Sequence, residues 1–543
     1  MIRKTRIAVQ GIFLLIFLWL FLQTESKGLD TLGWPVKIFL DADPLIFLST
    51  ALSGRQWPET FWLALLVMAA TIFLGRVFCG WICPLGTLHN LVSAVTRQRS
   101  KRPSVNLYRW KYYLLIFLLV ASLFSLQITG VFDPISLLIR SFSLAVYPAF
   151  SYATRATFGM FYEADIPVLT QGTEFIYALL KKLVLPFQQP LYHQGFFVGV
   201  LFILVLGLNL VEKRFWCKYL CPLGALLGLC SRYALLKRTV SEGCNECGEC
   251  ASVCQGCARP DEKEKFRIGE CFVCMDCDDV CPQNAVRFGF GFKKSAAGLD
   301  LGRRRVIGSV LAGIFAAPLF KITPIAKVGA SNPKQIRPPG ALEERLFLQR
   351  CVKCGECMKV CLTGGLQPAL FEAGLEGIWS PVLVPRIGYC EYNCTLCGQV
   401  CPTGAIKKLS LKEKRDIKIG LAMIDKSRCL PYAHGVPCIV CEEVCPTSKK
   451  AIWYEDVKVV NREGNALILK QPHIDLDLCI GCGICEAKCP VIGRPAVTVT
   501  SVGESRSKDH QLLLPQTSNI RVKKSFFRRL FDVFLTSSSN DNP

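Results

Sequence analysis

The spacing of the cysteines limits this chain more than any other feature. There are 30 in 543 residues, and 24 of them fall into six runs of four. Two runs come first: Cys244, Cys247, Cys250 and Cys254, then Cys271, Cys274, Cys277 and Cys281. Four more follow after a gap: Cys351, Cys354, Cys357, Cys361; Cys390, Cys394, Cys397, Cys401; Cys429, Cys438, Cys441, Cys445; and Cys479, Cys482, Cys485, Cys489. An even cysteine count invites a disulfide framework, but three thiols placed every third residue is the pattern that wraps an iron–sulfur cluster. A zinc ribbon needs only two C-x-x-C pairs, and each regular run here has three thiols plus a fourth.

In two-cluster ferredoxins the fourth cysteine of each run ligates the other cluster. That rule assigns Cys244, Cys247, Cys250 and Cys281 to one 4Fe-4S cluster, and Cys271, Cys274, Cys277 and Cys254 to a second. Cys254 lacks the following proline, and Cys257 is an alternative fourth ligand. Of the last four runs, the first and fourth are regular and the middle two are stretched. Pairing like with like gives a nested arrangement: Cys351, Cys354 and Cys357 with Cys489; Cys479, Cys482 and Cys485 with Cys361; Cys390, Cys394 and Cys397 with Cys445; Cys429, Cys438 and Cys441 with Cys401. Six 4Fe-4S clusters are expected, with Cys230 and Cys257 left over. Short β-like stretches at Ala422–Ile424 and Val457–Val459 fit α+β ferredoxin-like domains, in which metal supplies much of the folding energy.

The remaining chain is apolar. Hydrophobic residues make up 51% and charged residues 20%, with a mean hydropathy of +0.34. Ile7–Leu22, Phe61–Val77, Tyr112–Val131 and Phe196–Val211 read as membrane spans, and Val306–Phe320 as a fifth span or a buried helix. Arg3, Lys4 and Arg6, the loop Arg97–Lys111, Lys213, Arg214 and Lys218, and Arg303–Arg305 would then share the cytoplasmic side. Much of the formal charge of +22 is explained in that way, so no nucleic-acid partner is required. The expected fold is a membrane α-helical part of four to five spans plus polyferredoxin domains. The divisions are a membrane domain at 1–235, a cytoplasmic two-cluster domain at 236–300, a fifth helix at 301–325, a periplasmic four-cluster domain at 326–505 and a basic amphipathic tail at 506–543. Within that tail, Val522–Leu535 has the mix of basic and aromatic residues suited to a membrane surface.

The membrane part reads twice. DADPLIFLS followed by RVFCGWICPLGTL is matched by VFDPISLLI followed by RFWCKYLCPLGAL. Parallel repeats related by an axis along the membrane normal would bring Cys79, Cys83, Cys217 and Cys221 to one depth. Four thiols there suit one more metal centre or a set of redox thiols, against the plainer reading of Pro-terminated helix ends. Asp43 and Asp133 precede proline, which suits helix caps. Their other reading is as proton acceptors for a quinol near the outer interface, roofed by Tyr177–Phe187. No C-x-x-C-H, G-x-G-x-x-G or P-loop occurs, so electrons are expected from a lipid-soluble carrier or a protein.

With those motifs in hand, residues 1–290 resemble NapH, the membrane quinol dehydrogenase subunit of periplasmic nitrate reductase systems, through DADPL, RVFCGWICPLG, FDPISL, WCKYLCPLGAL and the first two runs. Residues 303–500 resemble NapG, the exported ferredoxin of the same systems, through RRR, IRPPGALEERLFLQRCVKCGECMKVC, the stretched runs and CIGCGICEAKCP. The Arg303–Arg305 segment resembles a twin-arginine export signal. The resemblance is to a NapH–NapG fusion in the bacterial inner membrane, with its C-terminal domain periplasmic. It implies quinol as substrate, the membrane quinone pool as source, the lipid bilayer as surroundings, and a periplasmic reductase or small electron carrier as acceptor. The alternative is a redox maturation factor of the NosR and CcoG types. In a third reading the fifth segment does not cross, and all six clusters face the cytoplasm.

Overall fold

The computed structural model describes residues 2–507 except 27, 29, 56, 58–60, 97–106, 164–166, 262–265, 292–298, 300, 323–331 and 461–465. Most of the basic 97–111 loop and the Val522–Leu535 segment lie outside the described residues. The N-terminal half is a helical body: α1 Ile2–Gln23, α2 Pro44–Gly54, α3 Phe61–Leu74, α4 Pro84–Val95, α5 Trp110–Leu123, α6 Pro134–Ser141, α7 Tyr147–Glu163, α8 Pro167–Leu183, α9 Gly195–Gly207 and α10 Pro222–Cys230. A further helix, α11 Arg303–Ile322, packs along α5. Among the described residues, only α1 and the continuous run from Pro134 to Glu163 are long and apolar enough to cross a bilayer on their own. Tyr112–Val131 is not one helix: α5 stops at Leu123, Ser125 takes a left-handed φ of 64°, and a short turn restarts at Thr129–Phe132. Phe61–Val77 likewise ends at Leu74, because Gly75 turns the chain with φ 78°.

The duplication is visible in the structure. Each copy has an Asp-capped helix with Pro at its first position, then an apolar helix, a π-helical turn and a second Pro-initiated helix. The turns are Phe78–Ile82 and Trp216–Leu220, and they lead into α4 and α10.

Two cysteine-rich modules pack against this body. The first is clasped by β1 Leu236–Val240 and β2 Val286–Phe290, which pair antiparallel. The second contains two similar units. One is closed by the bridge between Ala341 and Ile406, with the hairpin of β3 Leu366–Pro368 and β4 Pro381–Leu383 inside it. In the other, β5 Leu421–Ile424 pairs with β8 Val497–Thr500, and the hairpin of β6 Ile452–Val460 and β7 Ala466–Ile474 lies between them in sequence. A strand or bridge residue before each pair of runs thus pairs with one after it.

The modules sit at opposite ends of the body. In the first turns of α1, the Arg3 amide donates to Asp279 at 3.1 Å and Arg6 pairs with Asp276 at 2.9 Å, both in the first module. At the other end, Lys359 of the second module donates to the Thr24 carbonyl at 2.7 Å and lies over the Phe21 ring. The contacts flank the two ends of α1, whose 22 residues span about 33 Å at 1.5 Å per residue. Helix α11 runs in the same sense as α5. The Gly302 amide meets the Tyr113 hydroxyl near the start of α5, and Lys321 reaches the carbonyls of Phe124 and Ser125 just past its end.

Inside the second module, Glu344 ties the start of the fold to its end. It takes Arg337 at 2.6 Å and Arg506 at 2.9 Å. Burial opposes its charge, but the two guanidinium groups prevail and draw the carboxyl down to about 2. A depressed carboxylate stabilises above its unfolded value, and that contribution disappears as pH falls from about 4.5 toward 2. The side chain keeps 23% exposure, so roughly 2 kcal/mol is expected rather than the full shift. Thermal unfolding should show Glu344→Gln less stable near neutral pH and less sensitive to acid than the parent chain.

Candidate metal centres and the seams beside them

The regular runs share one backbone device. The second and fourth residues after the first cysteine take left-handed φ values in all four: Glu246 and Gly248, Val273 and Met275, Lys353 and Gly355, Gly481 and Gly483. Such conformations cost non-glycine residues about 1–3 kcal/mol each and persist only where the surroundings require them. Here they curl the amides inward as a nest, the concavity that receives iron–sulfur sites.

The fold gathers the thiols into six groups of four. Cys244, Cys247, Cys250 and Cys281 line one cavity. Cys271 has Cys274, Cys277 and Cys254 as neighbours, so Cys254 takes the fourth place despite the missing proline. Cys257 instead packs into the helical core. The nested pairing of the last four runs is overturned. Cys351, Cys354 and Cys357 share a cavity with Cys401, and Cys390, Cys394 and Cys397 share one with Cys361. Cys479, Cys482 and Cys485 share one with Cys445, while Cys441 has Cys489, Cys438 and Cys429 around it. Runs exchange their fourth cysteine with the next run in the chain, because the flanking strands clasp neighbouring runs together. Similar spacing within a run does not decide the partner.

These groups suit a cationic guest. Burial first, and then the negative neighbours Cys390, Cys479 and Cys445, push the Cys482 thiol up to about 12. Thiolates so crowded are relieved by iron. The groups of the second module also form a file. Cys357 faces Cys397, the Cys390 amide donates to the Cys482 carbonyl at 2.8 Å, and Cys485 faces Cys441. The revised pairing is checked by Cys401→Ser and Cys489→Ser. The first should remove the centre of Cys351, Cys354 and Cys357, and the second that of Cys429, Cys438 and Cys441, as read by iron content and electron paramagnetic resonance. The reverse assignment would restore the nested scheme.

Cys79, Cys83, Cys217 and Cys221 also meet. Cys79 and Cys217 lie in the two π-helical turns, and Cys83 and Cys221 cap the helices that follow. The Gly224 amide donates to Cys221 Sγ at 3.2 Å. Arg76 and Arg214 are exchanged between the copies: a Cβ on Gly224 would meet Arg76, and one on Gly86 would meet Arg214. Both guanidinium groups then stack on the ring of Phe272, at 4.5 and 5.2 Å. Phe272 lies between Cys271 and Cys274 in sequence, so the guanidinium groups beside the thiol quartet rest on a ring of the nearest cage's own ligand run. Sequence reasoning missed it; a ring inside a ligand run was the available signal.

Both seams are backbone contacts. A Cβ on Gly80 would stand 2.1 Å from the Phe272 carbonyl, and one on Gly130 would stand 2.0 Å from the Val352 carbonyl. Around the first seam, Glu270 receives Lys111, the Tyr112 hydroxyl at 2.7 Å and Arg76 at 3.5 Å. Around the second, Arg140 donates to the carbonyls of Gly130 and Lys353 at 3.1 Å and lies over the Trp379 ring.

Asp43 and Asp133 are fully buried N-caps. Asp43 accepts from the Leu45 and Ile46 amides, and Asp133 from those of Ile135 and Ser136. The two carboxyl groups also neighbour each other.

Comparison with known proteins agrees with this construction. A family model described as a 4Fe-4S binding domain matches residues 56–103 and 194–241, which hold the two C-x-x-x-C-P motifs, and another of the same description matches 472–491. The chain is an iron–sulfur, ferredoxin-type electron-transfer protein. It belongs to the NapG family. It is 34% identical to ferredoxin-type protein NapG of Escherichia coli over 202 residues, 36% of this chain and 85% of that protein. It is 35% identical to methylamine utilization ferredoxin-type protein MauM of Methylorubrum extorquens over 32% of this chain and 76% of that protein, and 34% identical to MauM of Paracoccus denitrificans over 36% and 86%. No solved structure matches it.

Proposed function

We propose that the chain is a multi-pass membrane quinol dehydrogenase that joins a NapH-like helical part to a NapG-like polyferredoxin. The 24 run cysteines would hold six 4Fe-4S clusters, which would supply one-electron carriers between quinol of the membrane pool and an acceptor on the periplasmic side, a terminal reductase or a small carrier. The observation that carries this reading is the placement of thiol cages at both ends of one helical body, with a file of four at one end. The cages supply one-electron carriers when loaded. The protein's own part is to hold them in series, exclude water and manage protons. With Arg3, Lys4 and the exposed Arg303–Arg305 at one end, the positive-inside rule favours a cytoplasmic first module and a periplasmic second one. Cys79, Cys83, Cys217 and Cys221 would hold one further centre.

Anaerobically loaded protein in lipid nanodiscs should be reduced by a quinol, with iron–sulfur signals appearing in its electron paramagnetic resonance spectrum. Full reduction by dithionite with none by quinol would end the proposal. The aspartate pair has its own test, because Asn caps a helix as well as Asp does. If Asp43 and Asp133 accept quinol protons, the double Asn variant should fold normally and lose about 10²-fold in quinol-driven reduction. Normal turnover would leave them as caps alone.

A further inference from the structure

An open cleft lies where the end of α1, the start of α7, the segment Pro186–Tyr192 and the segment Lys359–Gly364 converge. Three features set it apart. Cys361, Leu362 and Thr363 form a wall that it shares with the cavity of Cys390, Cys394 and Cys397. A group in the cleft therefore lies against one ligand of a cage in the electron file. The polar lining is also built and partly unused. Tyr147 donates to Glu25 at 2.8 Å, and the Phe187 amide holds the other oxygen of the same carboxylate at 3.2 Å. Ser143 is 1% exposed, and its hydroxyl has no hydrogen-bond partner among the described residues. It stands in a π-helical turn, Phe142–Val146, a distortion frequent at functional sites. The lip, finally, carries an apolar ring: Phe187 lines the cleft and is 75% exposed. A lipid-soluble molecule can enter from a bilayer over such an edge.

We infer that this cleft binds the head group of a membrane hydroquinone, with Glu25 as its proton acceptor and Ser143 as a hydrogen-bonding anchor. The inference rests on the quinol reading above and locates it. The hydroquinone loses two protons and two electrons and leaves as the quinone. One hydroxyl proton passes to the Glu25 carboxylate and the other to water on the periplasmic side. A cluster held by Cys361, Cys390, Cys394 and Cys397 would supply the one-electron acceptor behind the wall at Cys361, and the periplasmic acceptor would take both electrons in the end. Tyr147 and the Phe187 amide are positioning groups that aim the carboxylate. Pro186 and Phe187 at the lip put the end of the Tyr177–Phe187 segment over this cleft.

The test uses the full-length, cluster-loaded protein in nanodiscs with decylubiquinol and, separately, menadiol. Glu25→Gln should slow quinol-driven bleaching of the clusters by about 10²-fold, with complete reduction by dithionite. Gln188→Trp, which plugs the exposed rim without touching the carboxylate, should slow it as well. A photoreactive azidoquinone should label the Pro186–Tyr192 or Lys359–Gly364 peptides, and excess decylubiquinone should compete. Wild-type rates in both variants, or labelling elsewhere such as beside Asp43 and Asp133, would overturn this location while leaving quinol oxidation standing. A parent protein reduced by dithionite but by neither quinol would instead remove the broader reading.

Discussion

Alanine at Gly80 should separate the first module from the helical body, and alanine at Gly130 should separate the second. In each case the added Cβ would lie about 2 Å from a backbone carbonyl, Phe272 in one seam and Val352 in the other. No side chain can yield there, because the obstruction is the ligand loop itself. The loop must retreat, and it carries its cysteines with it. Overpacking typically costs about 1–3 kcal/mol, and the present contacts are closer than any ordinary one. Gly80→Ala should also move Phe272 off Arg76 and Arg214, interrupting the path between the thiol quartet and the cage of Cys271. The two variants should therefore differ in which clusters remain reducible by quinol. Gly80→Ala should spare those of the second module, and Gly130→Ala should spoil them. Hydrogen exchange should show the loop at Phe272 or at Val352 losing protection. Variants with parental melting, exchange and reduction would show that these seams do not hold the modules in place.

Some of this architecture was legible in the sequence, and what was legible was local. Three thiols at every third residue specify a turn that closes on itself, so the first three ligands of each regular cage followed from spacing alone. The fourth ligand comes from across the chain. It is fixed by strands such as Leu421–Ile424 and Val497–Thr500, whose pairing no spacing encodes, and there the nested scheme failed. The duplicated motif singled out Cys79, Cys83, Cys217 and Cys221 as a set, and the fold brings these four thiols near one another. Charge was read too simply. Arg6, Lys111, Arg214 and Lys218 count toward the basic flanks, yet all four are buried, and Arg6, Lys111 and Lys218 are in ion pairs. Apolar runs also overstated helix length, because a turn at Gly75 or Ser125 costs nothing in hydropathy. The cleft beside Cys361 had no local signature. Its walls come from four segments spread over more than 300 residues.

Replacing Glu270 should be the most damaging single change at the first seam outside the cysteines. Its side chain is almost fully buried and receives Lys111, Tyr112 and Arg76 together. Removing one partner of a buried ion pair costs about 3–5 kcal/mol, because the opposite charge is left without compensation. In Glu270→Ala two cations lose their carboxylate at once. Lys111 and Arg76 are themselves almost wholly buried, so water cannot replace it without opening the seam. Opening it would expose Cys271, the next residue, and so threaten that cage. The expected result is a lower melting temperature and loss of the iron bound at Cys271, Cys274 and Cys277, with the second module's iron retained. Glu270→Gln keeps an acceptor for the Tyr112 hydroxyl and should fall between. A further variant separates charge from shape: Lys111→Met combined with Glu270→Leu removes the principal pair together and should recover part of the loss, as apolar replacements of buried pairs do. Parental stability and iron content in Glu270→Ala would mean that the charges around it find other partners, and that the seam is held by backbone packing at Gly80 alone.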